Sequence, residues 1–147
     1  ANVIANSVDE LLMNAMFDAP TDEFGKALFS ATSRTQEREL RGRERVAMSI
    51  GFDGFYVGIN VTDHFGSIDR QRLLNHVSAN YKDRDYTVKQ GQAGAGLGLA
   101  NVYNSGASLT YHCEVRKKTE VTLLYRAFPT YREFKSQFKF FSAKFYV

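Results

Sequence analysis

The chain has 147 residues, of which 44% are hydrophobic and 24% charged, the composition of an ordinary globular protein with enough length for one substantial core. Its net charge of +3 is too small to indicate nucleic-acid binding by itself. One cysteine and three histidines argue against a zinc cluster, and the lone Cys113 cannot form an internal disulfide, so we expect a reducing, cytoplasmic environment. No apolar run is long enough to cross a bilayer, and we expect no membrane partner.

The first predicted element is a helix over residues 2–17, where apolar side chains recur at close to helical spacing. Polar residues spaced four apart would share one face of this helix: Asn6, Glu10, Asn14 and Asp18. Two structural interpretations stay open, a capping box formed by Ser7 and Glu10, and a solvated polar stripe. Because the helical pattern begins at the first residue, we also expect further sequence upstream.

A long connection, residues 18–45, separates this helix from the first strands. It contains Pro20, Gly25 and Gly42, and residues 34–45 hold five arginines and three glutamates. Loops of this length are usually functional or partly disordered. We predict that the charged half of the connection is a solvated surface.

A β-hairpin is predicted next, from segments 46–52 and 55–61 that are rich in β-branched and aromatic residues. The Asp53-Gly54 pair between them is typical of a type I′ turn. Asp69 can then cap a helix over residues 70–81. The apolar residues that this helix would bury are Leu73, Leu74 and Val77.

Four of the ten residues from 91 to 100 are glycine, and a helix over residues 97–103 is predicted to follow this loop. Glycine lets a backbone approach a ligand closely, and a helix that begins there favours a phosphate. A flexible turn ahead of a helix is an equal alternative, since short glycine patterns recur by chance. The spacing excludes a P-loop, because no lysine follows. A second hairpin, from segments 108–115 and 120–127 with a turn at Lys117-Lys118, completes an α+β sandwich with helices on one face of a mainly antiparallel sheet.

The last twenty residues, 128–147, form an extension rich in aromatic and basic side chains. Its aromatic residues recur at steps of three and four, which predicts one helix face: Phe128, Tyr131, Phe134, Phe138, Phe141 and Phe145. The alternation at residues 138–140 equally allows a short strand. We expect the extension to pack on the domain of residues 1–127 or on a second copy of the chain, rather than to bind nucleic acid.

Three separated motifs together resemble the ATP-binding domain of the histidine kinase-like (GHKL, Bergerat-fold) ATPases. Residues 10–15, Glu-Leu-Leu-Met-Asn-Ala, are similar to the N box of that family. Residues 63–68, Asp-His-Phe-Gly-Ser-Ile, are similar to its first glycine box, and residues 94–99, Gly-Ala-Gly-Leu-Gly-Leu, to its second. The resemblance covers about residues 2–127 and implies a two-layer sandwich of the Bergerat type, closest in style to anti-sigma-type serine kinases or stand-alone domains.

The resemblance also implies a role for each motif. Asn14 would be a ligand of Mg²⁺, a cation that prefers oxygen, and Glu10 would act as general base. Asp63 would accept a hydrogen bond from the adenine amino group, under a lid formed by residues 82–92. The other implied nucleotide-binding residues are Gly66, Ile68, Gly94, Gly96, Leu97, Gly98 and Thr119.

The implied function is ATP and Mg²⁺ binding in bacterial-type signalling, with phosphotransfer to a partner protein. Two positions depart from the family pattern: Phe65 replaces the middle glycine of the first glycine box, and Phe17 stands where relatives often have a basic side chain. They favour an alternative, a nucleotide-gated regulatory module that binds a partner without catalysis. The expected partners are ATP or ADP and a regulatory or phosphoacceptor protein.

Overall fold

The computed structural model describes residues 2–29, 31–82, 102, 105–127, 132–133 and 140–147. In this part of the chain the helices are α1 (Asn2–Met13) and α2 (Arg70–Lys82). The strands are β1 (Ala47–Phe52), β2 (Tyr56–Asp63), β3 (Ser108–Glu114), β4 (Lys118–Arg126) and β5 (Phe141–Tyr146). α1 continues into a π-helical turn, Asn14–Asp18, and a short 3₁₀ helix, Gly42–Glu44, precedes β1.

The five strands form one open sheet in the order β1-β2-β4-β3-β5. The pairs β1–β2, β2–β4 and β3–β4 are antiparallel, so the prediction of a mixed α/β protein with a mainly antiparallel sheet is confirmed. β5 instead pairs in parallel with β3, with Leu109 opposite Phe141. Because β4 runs antiparallel to both of these strands, the end of β4 and the start of β5 lie at the same end of the sheet.

One face of the sheet carries the core. In β4 every second residue is buried (Thr119, Val121, Leu123 and Tyr125), which is the period of a strand with one face turned inward. Alternate residues of β2 and β3 continue this face, and Leu11 and Ala15 of the first helical segment belong to the same core. The helices that the structure describes include none long and apolar enough to span a membrane.

The first hairpin is confirmed, but its turn differs from the prediction. The Asp53 N–H donates to the Tyr56 carbonyl at 3.3 Å, so the central residues are Gly54 and Phe55. Gly54 has a φ of +96°, whereas Phe55 is not among the residues with positive φ. A type I′ turn needs positive φ at both central positions, so the type I′ prediction is wrong. The Asp53 carboxylate fixes this turn by accepting hydrogen bonds from the N–H groups of Phe55 (2.8 Å) and Tyr56 (2.7 Å).

The second hairpin is also confirmed, with a turn that comes earlier than predicted. Glu114 pairs with Lys118, so the turn consists of residues 115–117 and Lys118 already belongs to β4. The Lys117 N–H donates to the Glu114 carbonyl at 2.9 Å. Arg116 takes the left-handed conformation, with a φ of 62°. The sequence did not predict this conformation, because neither glycine nor asparagine stands at this position.

α2 begins as predicted, because the Arg72 N–H donates to the Asp69 carboxylate at 2.5 Å. Leu73 and Val77, one turn apart, are buried against the core. Leu74 is 37% exposed, so its predicted burial is wrong: it lies about 100° around the helix from Leu73. Lys82, the first residue of the predicted lid at 82–92, is still helical.

The end of the extension is a strand, and the helix face predicted to run as far as Phe145 is wrong for residues 141–146. Phe141, Ala143 and Phe145 alternate along β5 and pack against the core. A spacing of four residues, as between Phe141 and Phe145, fits both the helical period and twice the strand period. This spacing therefore could not distinguish a helix from a strand. The predicted aromatic positions 128, 131, 134 and 138 lie outside the described residues.

Part of the charged connection before β1 packs on the domain, so the prediction of a solvated surface is wrong for Arg38. The Arg38 guanidinium lies 3.4 Å from the centre of the Phe29 ring and 3.1 Å from the Glu44 carboxylate, and its side chain is 12% exposed. Arg43 donates to the His64 carbonyl (2.5 Å) and the Arg116 carbonyl (2.6 Å). Arg41 does remain solvated, with a side chain 79% exposed.

Candidate functional site

A cavity of about 180 Å³ lies beside the buried face of the sheet. Its lining comes from four places: α1 with the π-helical turn, β2 and the loop after it, α2, and the inner residues of β3 and β4. Apolar side chains dominate: Leu11, Ala15, Ala19, Val61, Ile68, Leu73, Tyr111 and Val121. The polar lining residues are Asn14, Asp18, Asp63, Ser67, Asp69 and Arg72. Apolar walls with a few convergent polar groups are typical of a small-molecule site.

Asp63, the last residue of β2, supplies a buried carboxylate to this cavity. The residue is 6% exposed, and its Oδ1 accepts hydrogen bonds from the N–H groups of Phe65 (2.8 Å) and Gly66 (3.3 Å). Burial raises the pKa of this carboxyl, against the opposing effect of those two donors. Both hydrogen bonds end on Oδ1, so among the described backbone groups none occupies Oδ2, which can accept a hydrogen bond from a ligand.

Thr119 lies directly beside Asp63. Asp63, Thr119 and Cys113 are opposite one another in the register of β2, β4 and β3, and all three are buried. Burial raises the pKa of both the Asp63 carboxyl and the Cys113 thiol, while the nearby Thr119 hydroxyl acts in the opposite direction. That hydroxyl nevertheless has no hydrogen bond of good geometry within the described part of the chain. A buried hydroxyl without a partner costs stability, so Thr119 is a candidate ligand contact.

The polar row of the first helix, which we define as Glu10, Asn14 and Asp18, converges on a single guanidinium. Arg34 donates to Glu10 Oε1 (3.3 Å), to Asn14 Oδ1 (3.2 Å) and to Asp18 Oδ2 (2.6 Å). Asn14 and Asp18 also line the cavity, and Asn14 begins the π-helical turn, a distortion that is frequent at functional sites. The row therefore binds a cation, and its oxygens are of the kind that Mg²⁺ prefers.

The two bland interpretations of this face are corrected by these contacts. Ser7 lies inside α1 and its hydroxyl donates to the Val3 carbonyl at 3.0 Å, so it does not cap a helix start. The prediction of a solvated polar stripe is wrong for the polar row and is confirmed for Asn6, which is exposed. Glu10 does not line the cavity. The pKa of Tyr111 in the cavity wall is raised mainly by the burial of Tyr111 and, to a smaller extent, by the charge of Glu10.

Gly66 lies away from the cavity lining and meets the β3–β4 turn instead. It has a φ of +59°, and its carbonyl accepts a hydrogen bond from the Arg116 N–H at 3.1 Å. A Cβ at this position would lie 2.0 Å from the Glu114 carbonyl oxygen. Close backbone packing thus explains this glycine. Phe65 beside it is buried, under the guanidinium of Arg43 at 4.8 Å.

The structure thus brings Asn14, Asp63 and Ile68 together at one cavity. Thr119 lies opposite Asp63 in the sheet, and Glu10 lies one helical turn from Asn14. Gly66 packs against the β3–β4 turn instead. No family model, curated protein or solved structure matches the chain. The predicted phosphate-binding residues Gly94, Gly96, Leu97 and Gly98 and the predicted lid at 83–92 fall in a stretch that the structure leaves undescribed. In the described ranges, no group of three His, Cys, Asp or Glu side chains is arranged to hold a metal ion.

Sequence reasoning missed Arg34 and Tyr111 at this site. The four-residue spacing of the polar row indicated that its members face one way, but nothing local indicated which of five arginines would meet them. Tyr111 could have been found from the alternation of β3, where it shares a face with Leu109 and Cys113.

Proposed function

We propose that this chain is a nucleotide-binding domain of the histidine kinase-like (GHKL, Bergerat-fold) type, which binds ATP with Mg²⁺ and transfers a phosphoryl group to a partner protein in signalling. The observation that carries the proposal is the meeting of separated motifs. Asn14 of the predicted N box and Asp63 and Ile68 of the predicted first glycine box line the same cavity. Asn14 and Asp63 are 49 positions apart in the sequence, so their proximity comes from the fold and not from local spacing.

The chemistry around Asp63 suits the adenine base. An exocyclic amino group is a donor, and the free Oδ2 of a buried carboxylate is a strong acceptor for it. Ile68 and the other apolar side chains of the wall would pack on the faces of the ring. The Thr119 hydroxyl, which has no hydrogen bond of good geometry among the described residues, adjoins the same carboxylate. The volume of about 180 Å³ is below the range of about 300–1,000 Å³ for sites that enclose drug-sized ligands, so it suits a base rather than a whole nucleotide.

The polar row suits the metal and the phosphates. Asn14 would hold Mg²⁺ through its amide oxygen, and the glycine amides of residues 94–98 would bind phosphate oxygens. ATP supplies the phosphoryl group. Glu10, one helical turn from Asn14, would take the proton from the attacking water or acceptor hydroxyl. In the Bergerat arrangement that we propose, the helices cover one face of the sheet and the nucleotide lies between them and the sheet.

One observation favours the second candidate function, a nucleotide-gated regulatory module without catalysis. Both oxygens of the Glu10 carboxylate contact the Arg34 guanidinium, at 3.3 and 3.5 Å, so Arg34 occupies the atoms that a general base would use. Such a module would bind ATP or ADP and change its affinity for a regulatory partner. The two functions share the nucleotide site and differ only in turnover.

Calorimetric titration with ATP, with and without Mg²⁺, tests the proposal. We expect saturable binding that Mg²⁺ strengthens, together with ADP binding at the same site. An absence of heat and of any thermal shift at millimolar nucleotide would reject both candidates. Binding without hydrolysis or transfer to any partner would leave the regulatory module as the function.

A further inference from the structure

Arg34 occupies the oxygens that the proposed function assigns to a metal. Its guanidinium contacts both oxygens of Glu10, at 3.3 and 3.5 Å, as well as Asn14 and Asp18. Ion pairs at 3.3 and 2.6 Å link it to the two carboxylates. A bound Mg²⁺ demands near-octahedral oxygen ligands at about 2.0–2.1 Å, which is incompatible with a guanidinium hydrogen-bonded to the same Asn14 oxygen.

We propose that Arg34 is an internal competitor of the metal: it neutralises the polar row in the nucleotide-free domain and must leave Asn14 before Mg²⁺ with nucleotide can bind. This inference rests on the proposed function. It adds that the apparent metal affinity is set by a residue of the connection before β1, outside every motif of the family resemblance. The Arg34 side chain is 37% exposed, so water can replace its contacts when it leaves.

The neighbouring arginines show why Arg34 can move alone. Arg38 is anchored separately, by the Met16 carbonyl at 2.5 Å and by Glu44, and its side chain is 12% exposed. Arg43 is anchored by the carbonyls of His64 and Arg116. The connection therefore stays attached to the domain when Arg34 is released, and only the segment around Arg34 has to rearrange.

The consequence is a gain of metal affinity when the competitor is removed. Arg34→Gln keeps a polar side chain but loses the charge and the planar fork of five donors. Because two partly exposed ion pairs then no longer oppose the metal, we expect Mg²⁺ to bind about three- to tenfold more tightly in the presence of ATP. Arg34→Lys keeps a point charge that cannot bridge three partners, so its affinity should fall between those of the parent and Arg34→Gln.

The matched control is Arg41→Gln, because Arg41 lies in the same connection, is 79% exposed and forms its ion pair with the exposed Glu39. The experiment measures Mg²⁺ binding at saturating ATP by calorimetry, and Mn²⁺ binding without nucleotide by water-proton relaxation, in the parent and all three variants. Tighter binding in both Arg34 variants, with Arg41→Gln unchanged, supports the competition. If Arg34→Gln does not fold, Arg34→Lys decides by the same criterion.

Equal affinities in the parent and the Arg34 variants would overturn the competition and leave the nucleotide site intact. Weaker binding in the variants would also overturn it, because Arg34 would then be a ligand contact. No binding of nucleotide or metal to any of the proteins would reject the proposed function and the competition together.

Discussion

Asp63 and the polar row both place carboxylates next to one cavity, but the protein holds them in opposite ways. Asp63 is almost fully buried, and the backbone N–H groups of its own loop donate hydrogen bonds to its Oδ1. The carboxylates of Glu10 and Asp18 have side chains 21% and 31% exposed and are neutralised by the distant Arg34. Backbone dipoles fix a carboxylate without cancelling its charge, whereas a guanidinium cancels it.

The comparison separates a preformed region from one that must rearrange. At Asp63 the free oxygen is already available, and its cost is the desolvation that raises the carboxyl pKa. At the polar row the ligands are satisfied by the protein itself, so a metal gains access only by displacement. Substitutions in the two regions should therefore affect different quantities.

The largest expected effect is on turnover, at the polar row. Glu10→Gln should lower the rate of ATP hydrolysis or phosphotransfer about 10²–10⁴-fold, because an amide cannot act as general base. Nucleotide affinity should not fall, because Glu10→Gln also removes one of the ion pairs that hold Arg34 on the polar row. Steady-state and single-turnover assays check this, with Glu39→Gln as control because Glu39 is 73% exposed and pairs with the exposed Arg41. Unchanged turnover in Glu10→Gln would remove Glu10 from the chemistry.

The next effect is on stability, in the loop that carries Asp63. Gly66→Ala should lower the free energy of unfolding by about 2–5 kcal/mol, because it combines a positive φ with a Cβ placed 2.0 Å from the Glu114 carbonyl oxygen. Denaturant unfolding measures the loss. Gly51→Ala is the control, since a Cβ there meets nothing within 4 Å. Similar stabilities of the two variants would show that Gly66 is not fixed by the β3–β4 turn.

The smallest expected effect is on the pH dependence of the free energy of unfolding, through the Asp63 carboxyl. Burial raises the Asp63 carboxyl pKa above its ordinary 3.8, so above that pH the unfolded chain releases a proton that the folded chain retains. The folded state then binds more protons, and the free energy of unfolding falls as pH rises through the interval between the two pKa values. Asp63→Asn removes this titration and keeps an acceptor for the Phe65 N–H.

We therefore expect Asp63→Asn to be more stable than the parent at pH 7 and to lose that advantage below pH 3.8. Thermal unfolding at a series of pH values measures the difference between the two curves. A variant less stable than the parent at neutral pH would mean that the Asp63 charge stabilises the fold, contrary to the description of this region.

Prediction from sequence succeeded where the determinants are local. The two hairpins, the start of α2 at Asp69 and the position of Asp63 at a strand end depend on alternation and capping within a few residues. It failed where a contact spans many residues: Arg34 meets Glu10 across 24 positions, and β5 pairs in parallel with β3 across about 30 positions. Leu74 and the turn at Arg116 failed because packing and backbone conformation there are decided by neighbours that the local pattern does not contain.

The most direct test of the central claim is an ATP titration of Asp63→Asn beside the parent. The control is Asp53→Asn, because Asp53 also accepts two N–H groups from its own turn but lies exposed in the β1–β2 hairpin. A hydrogen bond to a charged acceptor is worth about 1.5–3 kcal/mol, so Asp63→Asn should weaken ATP binding about tenfold or more while Asp53→Asn leaves it unchanged. Equal ATP affinity in the parent and Asp63→Asn would contradict the assignment of this cavity to the adenine base.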